Sequence, residues 1–245
     1  CGENTKYISA DLRPVFPEER LLIEILLKKP PNVWKSSSVW ACNNRYYVDG
    51  KSVVVPNSVY ESSDPNEVVG QLQAAKDKNS SEAFTRYIDL FMQANHRRLA
   101  FLKDEAYRFI QHAAERFDPE QIVVSFSGGK DSTVTADLAV KALSNPSLVH
   151  IFGDTTLEFP STTEYAERYR LFHPEAIFQI ARNDDQDFYE VCDDIGPPAR
   201  MMRWCCSMFK TGPITRIINS LYGSEQILTF YGIRKFESVS RSKYN

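Results

Sequence analysis

The sequence predicts an α/β fold in which a parallel, twisted sheet carries helices on both faces, preceded by a small α+β unit. Three observations predict it. From residue 121 onward, short apolar β-branched runs alternate with stretches of helical periodicity, the rhythm of βαβ units. Polar clusters follow those runs, at the carboxyl edge where parallel sheets hold ligands. Before residue 80 the pattern changes to one helix and several short strands joined by two-residue turns. The chain therefore divides into a unit of residues 1–80 and a larger domain of residues 81–245.

In the first unit, Pro17–Lys29 reads as a helix, with Pro17 in the first turn, Glu18 and Glu19 at its positive end and Lys28 and Lys29 at its negative end. Apolar residues run nearly all round it, and Pro30-Pro31 stops it. Val39–Cys42, Arg45–Val48 and Ser52–Val55 read as strands, with hairpin signals at Asn43-Asn44 and Asp49-Gly50. Trp34, Trp40, Tyr46 and Tyr47 are expected in the core of this unit, and the polar stretch Glu61–Asn66 as a linker. Ser81–His112 is helical, interrupted in its apolar pattern at Asn95–Arg98, and Asp118-Pro119 turns the chain into the next strand.

Ile122–Phe126 is long enough for one buried strand, and Thr133–Leu143 has helical spacing with Val134, Leu138 and Leu143 on one side. Between them lies Ser127-Gly128-Gly129-Lys130-Asp131-Ser132. A strand that ends in a glycine-rich loop and opens a helix cradles phosphate. Backbone N–H groups point at the anion, the helix dipole favours it, and glycine lets the backbone approach closely. Ser127 and Ser132 offer hydroxyls and Lys130 a cation. Asp131 is expected to bind Mg²⁺ or to cap the helix. The spacing is not that of the Walker A loop. Further strands are read at Ser147–Phe152, ending in Gly153-Asp154-Thr155-Thr156, at Ala176–Ile180, and at Ile227–Tyr231, followed by Gly232-Ile233-Arg234. Ser161 and Glu164 have capping-box spacing at the start of an intervening helix.

The loop resembles the SGGxDS motif of the PP-loop, or N-type ATP pyrophosphatase, superfamily, which cleaves ATP between the α and β phosphates. Three further stretches resemble the phosphoadenosine phosphosulfate (PAPS) reductase family in its order. Asp154–Pro160 is similar to DTGxxFPET, Arg203–Pro213 to CCxxxKxxP, and Gly232–Arg241 to GxRxxESxxR. The resemblance covers about residues 120–243 and implies an adenine nucleotide α-hydrolase-like fold. It also implies nucleotide contacts from Ser127–Ser132, Asp154, Thr155, Lys210, Gly232, Arg234, Glu237, Ser238 and Arg241. Lys130, Asp131, Cys205, Cys206 and Arg234 would take the chemistry. Reductases of this family tend to carry an altered phosphate loop, because their ligand lacks β and γ phosphates. The form here is intact and suits ATP. The expected function is binding of ATP–Mg²⁺ and adenylyl transfer with release of pyrophosphate, in sulfur metabolism or sulfur transfer as in DNA phosphorothioation. The alternatives are a thiol- or iron–sulfur-dependent reductase of PAPS or adenylyl sulfate, and a non-catalytic nucleotide-binding module.

Adjacent Cys205 and Cys206 are too strained to bridge one another. They read as two ligands of a 4Fe–4S cluster, as redox or sulfur-carrying thiols beside Arg200, Arg203 and Lys210, or as small buried residues. Asp131 and Asp154 are the candidate Mg²⁺ ligands. From Arg200 to Asn245 there are eight basic and two acidic residues in a chain of net charge −3, which points to a local anionic ligand. The overall charge makes no case for nucleic acid, although a nucleic acid substrate and a sulfur-donor protein both follow from the resemblance. With 42% apolar and 25% charged residues, no 18-residue apolar run and five irregularly spaced cysteines, a cytoplasmic protein with no membrane partner is expected. Both ends read as cut, the C-terminal one inside the domain, and Cys1-Gly2 as the tail of a metal knuckle or an accidental terminus.

Overall fold

The computed structural model describes residues 12–42, 45–76 and 80–234, so the Asn43-Asn44 turn and the ends of the chain lie outside the described residues. The chain falls into two compact units, one ending at Leu99 and the other beginning at Ala100.

The first unit is built on an antiparallel sheet in the order β1 (Arg13–Pro14), β2 (Val39–Cys42), β3 (Arg45–Val48), β4 (Lys51–Val53). Asp49 and Gly50 join β3 to β4 with φ of 48° and 78°, the left-handed pair that a two-residue hairpin turn requires. Helix α1 (Pro17–Leu26) ends before the prolines. Lys28 takes φ 54°, its N–H reaches Ile25 O at 2.9 Å, and the Lys29 N–H reaches Glu24 O at 2.8 Å, which closes a Schellman cap. Val15, Ile23, Leu26, Val39, Ala41 and Val48 form the core, with Trp34 and Tyr46 packed against it. Trp40 instead meets the rings of Tyr87 and Phe91.

Inside α1 the structure buries a charged pair that apolar periodicity gave no sign of. Glu24 is 0% exposed and accepts the N–H groups of Asn32 (2.6 Å) and Trp34 (2.8 Å). Arg20 lies 3.6 Å from it and donates to Asn32 Oδ1 at 2.9 Å. The carboxylate thus ties the loop after α1 back to the helix, the hydrogen-bonded pairing a buried charge needs.

The expected linker at Glu61–Asn66 is instead a helix junction between α2 (Asn57–Ser62) and α3 (Pro65–Ala75). Asp64-Pro65 starts the second of these, because Pro suits the first helical position and the Asp64 side chain accepts the Asn66 N–H at 2.9 Å. The stretch read as one helix is two, α4 (Ser80–Ala94) and α5 (His96–Ala114). They break at Asn95, whose side-chain amide donates to Phe91 O at 2.8 Å and competes with the helical ladder.

In the second unit four strands form one parallel sheet, β5 (Ile122–Phe126), β6 (Val149–Asp154), β7 (Ile177–Arg182) and β8 (Leu228–Phe230), in the order β7-β6-β5-β8. Helices cover both faces. Ile122, Val124, Phe126 and Phe152 meet α5, α6 (Lys130–Leu143) and α7 (Pro160–Phe172). Val123, Val149, Ile151 and Ala181 meet α10 (Gly212–Tyr222). Between them come α8 (Phe188–Ile195), the single turn α9 (Trp204–Cys206) and a π-helical segment, Ser207–Thr211.

Two expectations about these helices are corrected. The buried face of α6 is Ser132, Ala136, Ala139 and Ala142, while Val134 is 57% exposed. Small residues let the helix lie close on the sheet, and a search for large apolar residues misses them. The capping box at Ser161 and Glu164 does not form. Pro160 occupies the first helical position, so Phe159 becomes the N-cap residue, with no side-chain capping bond.

His150 on β6 is fully buried among Phe126, Tyr169 and Phe178. Its Nδ1 meets Leu148 O at 2.7 Å, which puts the proton there and leaves Nε2 to face the Tyr169 hydroxyl at 3.4 Å. Burial holds the imidazole below its ordinary value of 6.5 and pushes Tyr169 up to about 12. The depressed histidine contributes stability that is present above 6.5 and lost as the pH falls, since the unfolded chain takes the proton first. The urea midpoint of the wild-type chain should therefore drop more steeply between about pH 7.5 and about pH 5 than that of His150→Phe. Parallel slopes would show that the ring stays accessible to protons in the folded state.

Candidate functional site

The sheet order places the phosphate-cradle loop. β6 and β7 lie on one side of β5 and β8 on the other, so the direction of winding reverses between β5 and β8. Ligands of open α/β sheets bind in the crevice at the carboxyl edge where that reversal occurs. The loop after β5 and the segment after β8 both emerge there.

Loop geometry follows from residue chemistry. Gly128 takes φ 70°, and a Cβ at this residue would also approach Thr162 Cγ2 on α7 to 3.1 Å. Ser132 is buried, and its hydroxyl is spent within the loop. It donates to Gly129 O at 2.9 Å and accepts from Ser127 N and Ser127 Oγ, both at 3.1 Å. The structure thus gives Ser132 the task of folding the cradle, where the sequence suggested direct donation to phosphate. Thr133 Oγ1 also donates to Gly129 O, at 3.0 Å, and receives the Tyr165 hydroxyl at 3.1 Å. What remains for a ligand is the set of first-turn backbone N–H groups of α6, which no helix can pair internally, together with the dipole behind them.

The segment after β8 docks directly on this turn. A Cβ at Gly232 would sit 2.6 Å from the Asp131 carbonyl oxygen, 2.7 Å from its carbon and 2.8 Å from Thr135 Oγ1. Glycine at this position therefore sets how closely the segment lies on α6. Two residues on, Arg234 Nε lies 3.1 Å from Asp131 Oδ2, and Lys130 Nζ lies 3.2 Å from the same oxygen. Ser127–Ser132, Gly232 and Arg234 are thus one constellation, with two cations gathered at the mouth of a backbone cradle.

Asp154–Glu158 forms a second cluster at the neighbouring strand end, since Phe126 of β5 pairs with Phe152 of β6. Asp154 Oδ1 accepts the Thr156 N–H at 2.8 Å, and its Oδ2 lies 3.5 Å from Arg182. Thr156 has φ 64°, a strained conformation for a β-branched residue. It is held by that bond and by the Phe188 N–H, which donates to Thr156 Oγ1 at 2.9 Å. Thr155 donates to Glu158 at 2.9 Å.

A third cluster surrounds the paired cysteines. Trp204 and Phe209 pack against Phe188, and the Trp204 indole donates to Gly196 O at 3.2 Å. The π-helical segment lies against β6 and β7. Cys206 and Lys210 are exposed, Cys205 is half-buried, and both thiols are free. Glu237, Ser238 and Arg241 lie outside the described residues.

The donor sets test the expected metals. Asp131 Oδ2 meets two cations, Asp154 Oδ1 accepts the Thr156 N–H and Asp154 Oδ2 lies 3.5 Å from Arg182, so a Mg²⁺ ion would have to displace these partners and take most of its oxygens from phosphate and water. A 4Fe–4S cluster takes four thiolates. Cys205 and Cys206 supply two, and no group of three or more His, Cys, Asp or Glu residues is gathered among the described residues.

Residues 121–245 match the family of the phosphoadenosine phosphosulfate reductase domain. Two uncharacterized proteins of Methanocaldococcus jannaschii are similar to the chain. One is 36% identical over 164 residues, 67% of this chain and 32% of the relative, and the other is 28% identical over 158 residues, 64% and 36% respectively. The chain thus spans about a third of the length of these relatives. Among solved structures, phosphoadenylyl-sulfate (PAPS) reductase from Candida auris, in a phosphate complex, aligns with a TM-score of 0.41 and 17% identity, over 55% of this chain and 63% of the other.

Proposed function

Since the chain belongs to the phosphoadenosine phosphosulfate reductase domain family, a family that supports nucleotide binding at a PP-loop, we propose that Ser127–Ser132 binds ATP and that the chain catalyses adenylyl transfer. The observation that carries this reading is the cradle at the β5/β8 reversal, with Lys130 and Arg234 at its mouth. In the proposed reaction an acceptor oxyanion attacks the α-phosphorus. A new P–O bond forms, the bond to the bridging oxygen of the β-phosphate breaks, and pyrophosphate leaves with that electron pair. The residues act by position and charge, which is most of what phosphoryl-type transfer asks of a protein. The N–H groups of the first turn of α6 hold the departing pyrophosphate. Lys130 and Arg234 neutralise it, exchanging Asp131 for phosphate oxygens. No step is assigned to Mg²⁺.

Two expected outcomes test this. Gly129→Ala should weaken ATP binding and leave the fold intact. Its Cβ would meet only Ser127 Oγ, at an ordinary 3.4 Å, in a backbone conformation (φ −81°) that alanine adopts freely. The methyl group would nevertheless stand between the loop backbone and the triphosphate that must approach it. Calorimetry with ATP, alongside a thermal melt, reads both halves, and unchanged affinity would move the site away from this loop.

In a competition titration, ATP should bind tighter than adenylyl sulfate or PAPS. Cradle donors left unpaired in a desolvated site cost about 1–3 kcal/mol each, about a five- to hundredfold difference in affinity. Pyrophosphate should appear with turnover. The exposed, free Cys206 favours a second reading, thiol-dependent reduction of adenylyl sulfate or PAPS. Tighter binding of those ligands, with sulfite released in the presence of a thiol, would establish it in place of the first. A sulfur-donor protein or a nucleic acid as acceptor partner is part of the proposal, tested by adding each and following pyrophosphate.

A further inference from the structure

Thr156 stands at the glycine position of the DTGxxFPET-like stretch and takes φ 64°. Glycine adopts that conformation freely, whereas a β-branched residue is strained in it. Among the described residues no other Val, Ile or Thr has a positive φ. A threonine held in this conformation calls for a compensating contact, and its hydroxyl makes one. We propose that Thr156 is a positioning residue, whose hydroxyl fixes the start of α8 and thereby the turn that carries Cys205 and Cys206. The inference deepens the thiol reading of Cys206 and rests on it for its function, while the geometry stands whichever nucleotide the cradle takes.

The opening N–H groups of a helix have no partner within it. In α8, Asp187 and Glu190 close a capping box. The Asp187 N–H donates to Glu190 Oε2 at 2.7 Å, and the Glu190 N–H donates to Asp187 Oδ1 at 2.9 Å. The Phe188 N–H lies between them and turns outward, donating to Thr156 Oγ1 at 2.9 Å, 32 residues back in the chain. Thr156 donates its own N–H to Asp154 Oδ1 at 2.8 Å, at the end of β6. It thus joins the carboxyl end of β6 to the first residue of α8.

Phe188 carries that placement onward. Its ring centroid lies 5.1 Å from that of Trp204 and 5.8 Å from that of Phe209, and the latter two lie 6.0 Å apart. Phe209 is buried, which gives the cluster a fixed floor. The Trp204 indole donates to the carbonyl of Gly196, the residue that ends α8, at 3.2 Å. Helix α8 is therefore held at its first residue by Thr156 and at its end by Trp204. Cys205 and Cys206 follow Trp204 directly and precede Phe209, so the thiols stand between two members of the ring cluster. Loss of the Thr156 hydroxyl would leave the part-buried Phe188 N–H without an acceptor and release the start of α8, and the rings with it.

The test alkylates the full chain with iodoacetamide and follows each cysteine separately by peptide mass spectrometry. Cys205 is half-buried, so its rate follows the population in which its turn has opened. Thr156→Val keeps the branched shape without the acceptor and should speed Cys205 about fivefold or more. Thr156→Ser should react as the wild type does, and Cys42, buried in the other unit, should keep its rate in both variants. In chain labelled with 5-fluorotryptophan, the resonance of Trp204, assigned by Trp204→Phe, should move in Thr156→Val and return in Thr156→Ser. Those of Trp34 and Trp40 should stay in place. Should Thr156→Val melt early, Thr156→Gly takes its place, since glycine adopts φ 64° without strain and offers no hydroxyl. None of these readouts needs sulfite release, so failure of the thiol reading and failure of this inference are told apart. The proposal is overturned if the variant without the hydroxyl alkylates at Cys205 at the wild-type rate, if Thr156→Ser reacts as fast as that variant, if Cys42 speeds up equally, or if the Trp204 resonance does not move.

Discussion

Gly232→Ala is expected to cost about 1–3 kcal/mol of stability, the usual penalty of overpacking, and to lower ATP affinity about tenfold or more. The new methyl group would meet the Asp131 carbonyl at 2.6 Å, its carbon at 2.7 Å and Thr135 Oγ1 at 2.8 Å. None of these is the free end of a long side chain. The first two are main chain in the opening turn of α6. Thr135 Oγ1 is bonded to the same carbonyl at 2.9 Å, so it cannot swing aside without giving up that bond. Either the segment after β8 lifts away or the opening turn of α6 shifts, and both movements disturb the cradle and the approach of Arg234. Urea denaturation and calorimetry measure the two effects together. Wild-type values in both would mean that the segment does not lie against α6 in solution.

Arg234→Gln should behave differently, with little change in stability and about a ten- to hundredfold loss of ATP affinity. Its partner Asp131 is 34% exposed and Arg234 itself 45%, so solvent screens the pair and its own contribution is at most about 1 kcal/mol. A guanidinium hydrogen-bonded to phosphate in a partly closed cleft contributes about 1.5–3 kcal/mol, which sets the expected loss. Arg234→Lys should recover part of it, since charge is restored without the planar fork. A variant that loses stability but binds ATP normally would make Arg234 a structural partner of Asp131 and leave Lys130 as the cation of the site.

The legible parts of this protein are those written locally. Ile122–Phe126 is an unbroken β-branched run, and Ser127–Ser132 follows it with two glycines. The strand and the cradle could therefore be read within a dozen residues. The docking of Gly232 on Asp131 depends on β8 lying beside β5, a pairing between segments more than 100 residues apart that no local pattern encodes. The task of Ser132 was hidden for a related reason. A serine at the start of a helix can donate to a ligand or to its own loop, and only the folded turn decides. The buried Arg20–Glu24 pair escaped because its partners, the Asn32 and Trp34 amides, belong to a loop that apolar periodicity does not describe. Small residues misled in the opposite direction, since Ala136 and Ala139 carry the sheet contact of α6 while Val134 points to solvent.

The π-helical segment bears on how this chain tolerates gain or loss of a residue. Across Ser207–Thr211 the backbone closes from Gly212 N–H to Ser207 O, one residue further than an α-helical turn. Trp204, Phe209 and Ile214 are five apart, yet the first two meet at 6.0 Å and the third contacts the end of β6 near Gly153. In a regular α-helix, residues five apart diverge by about 140°, whereas residues four apart nearly align. The wider turn absorbs the surplus residue, so the aromatic anchor before it and the sheet-facing helix after it keep a common orientation. Removing one residue at Ser207 or Met208 would restore ordinary winding without rotating either flank. Adding or removing a residue between Ile214 and Ile217 of α10, where no such slack exists, would rotate the two flanks by about 100° relative to each other, so Ile214 could no longer face the sheet together with Ile217 and Ile218.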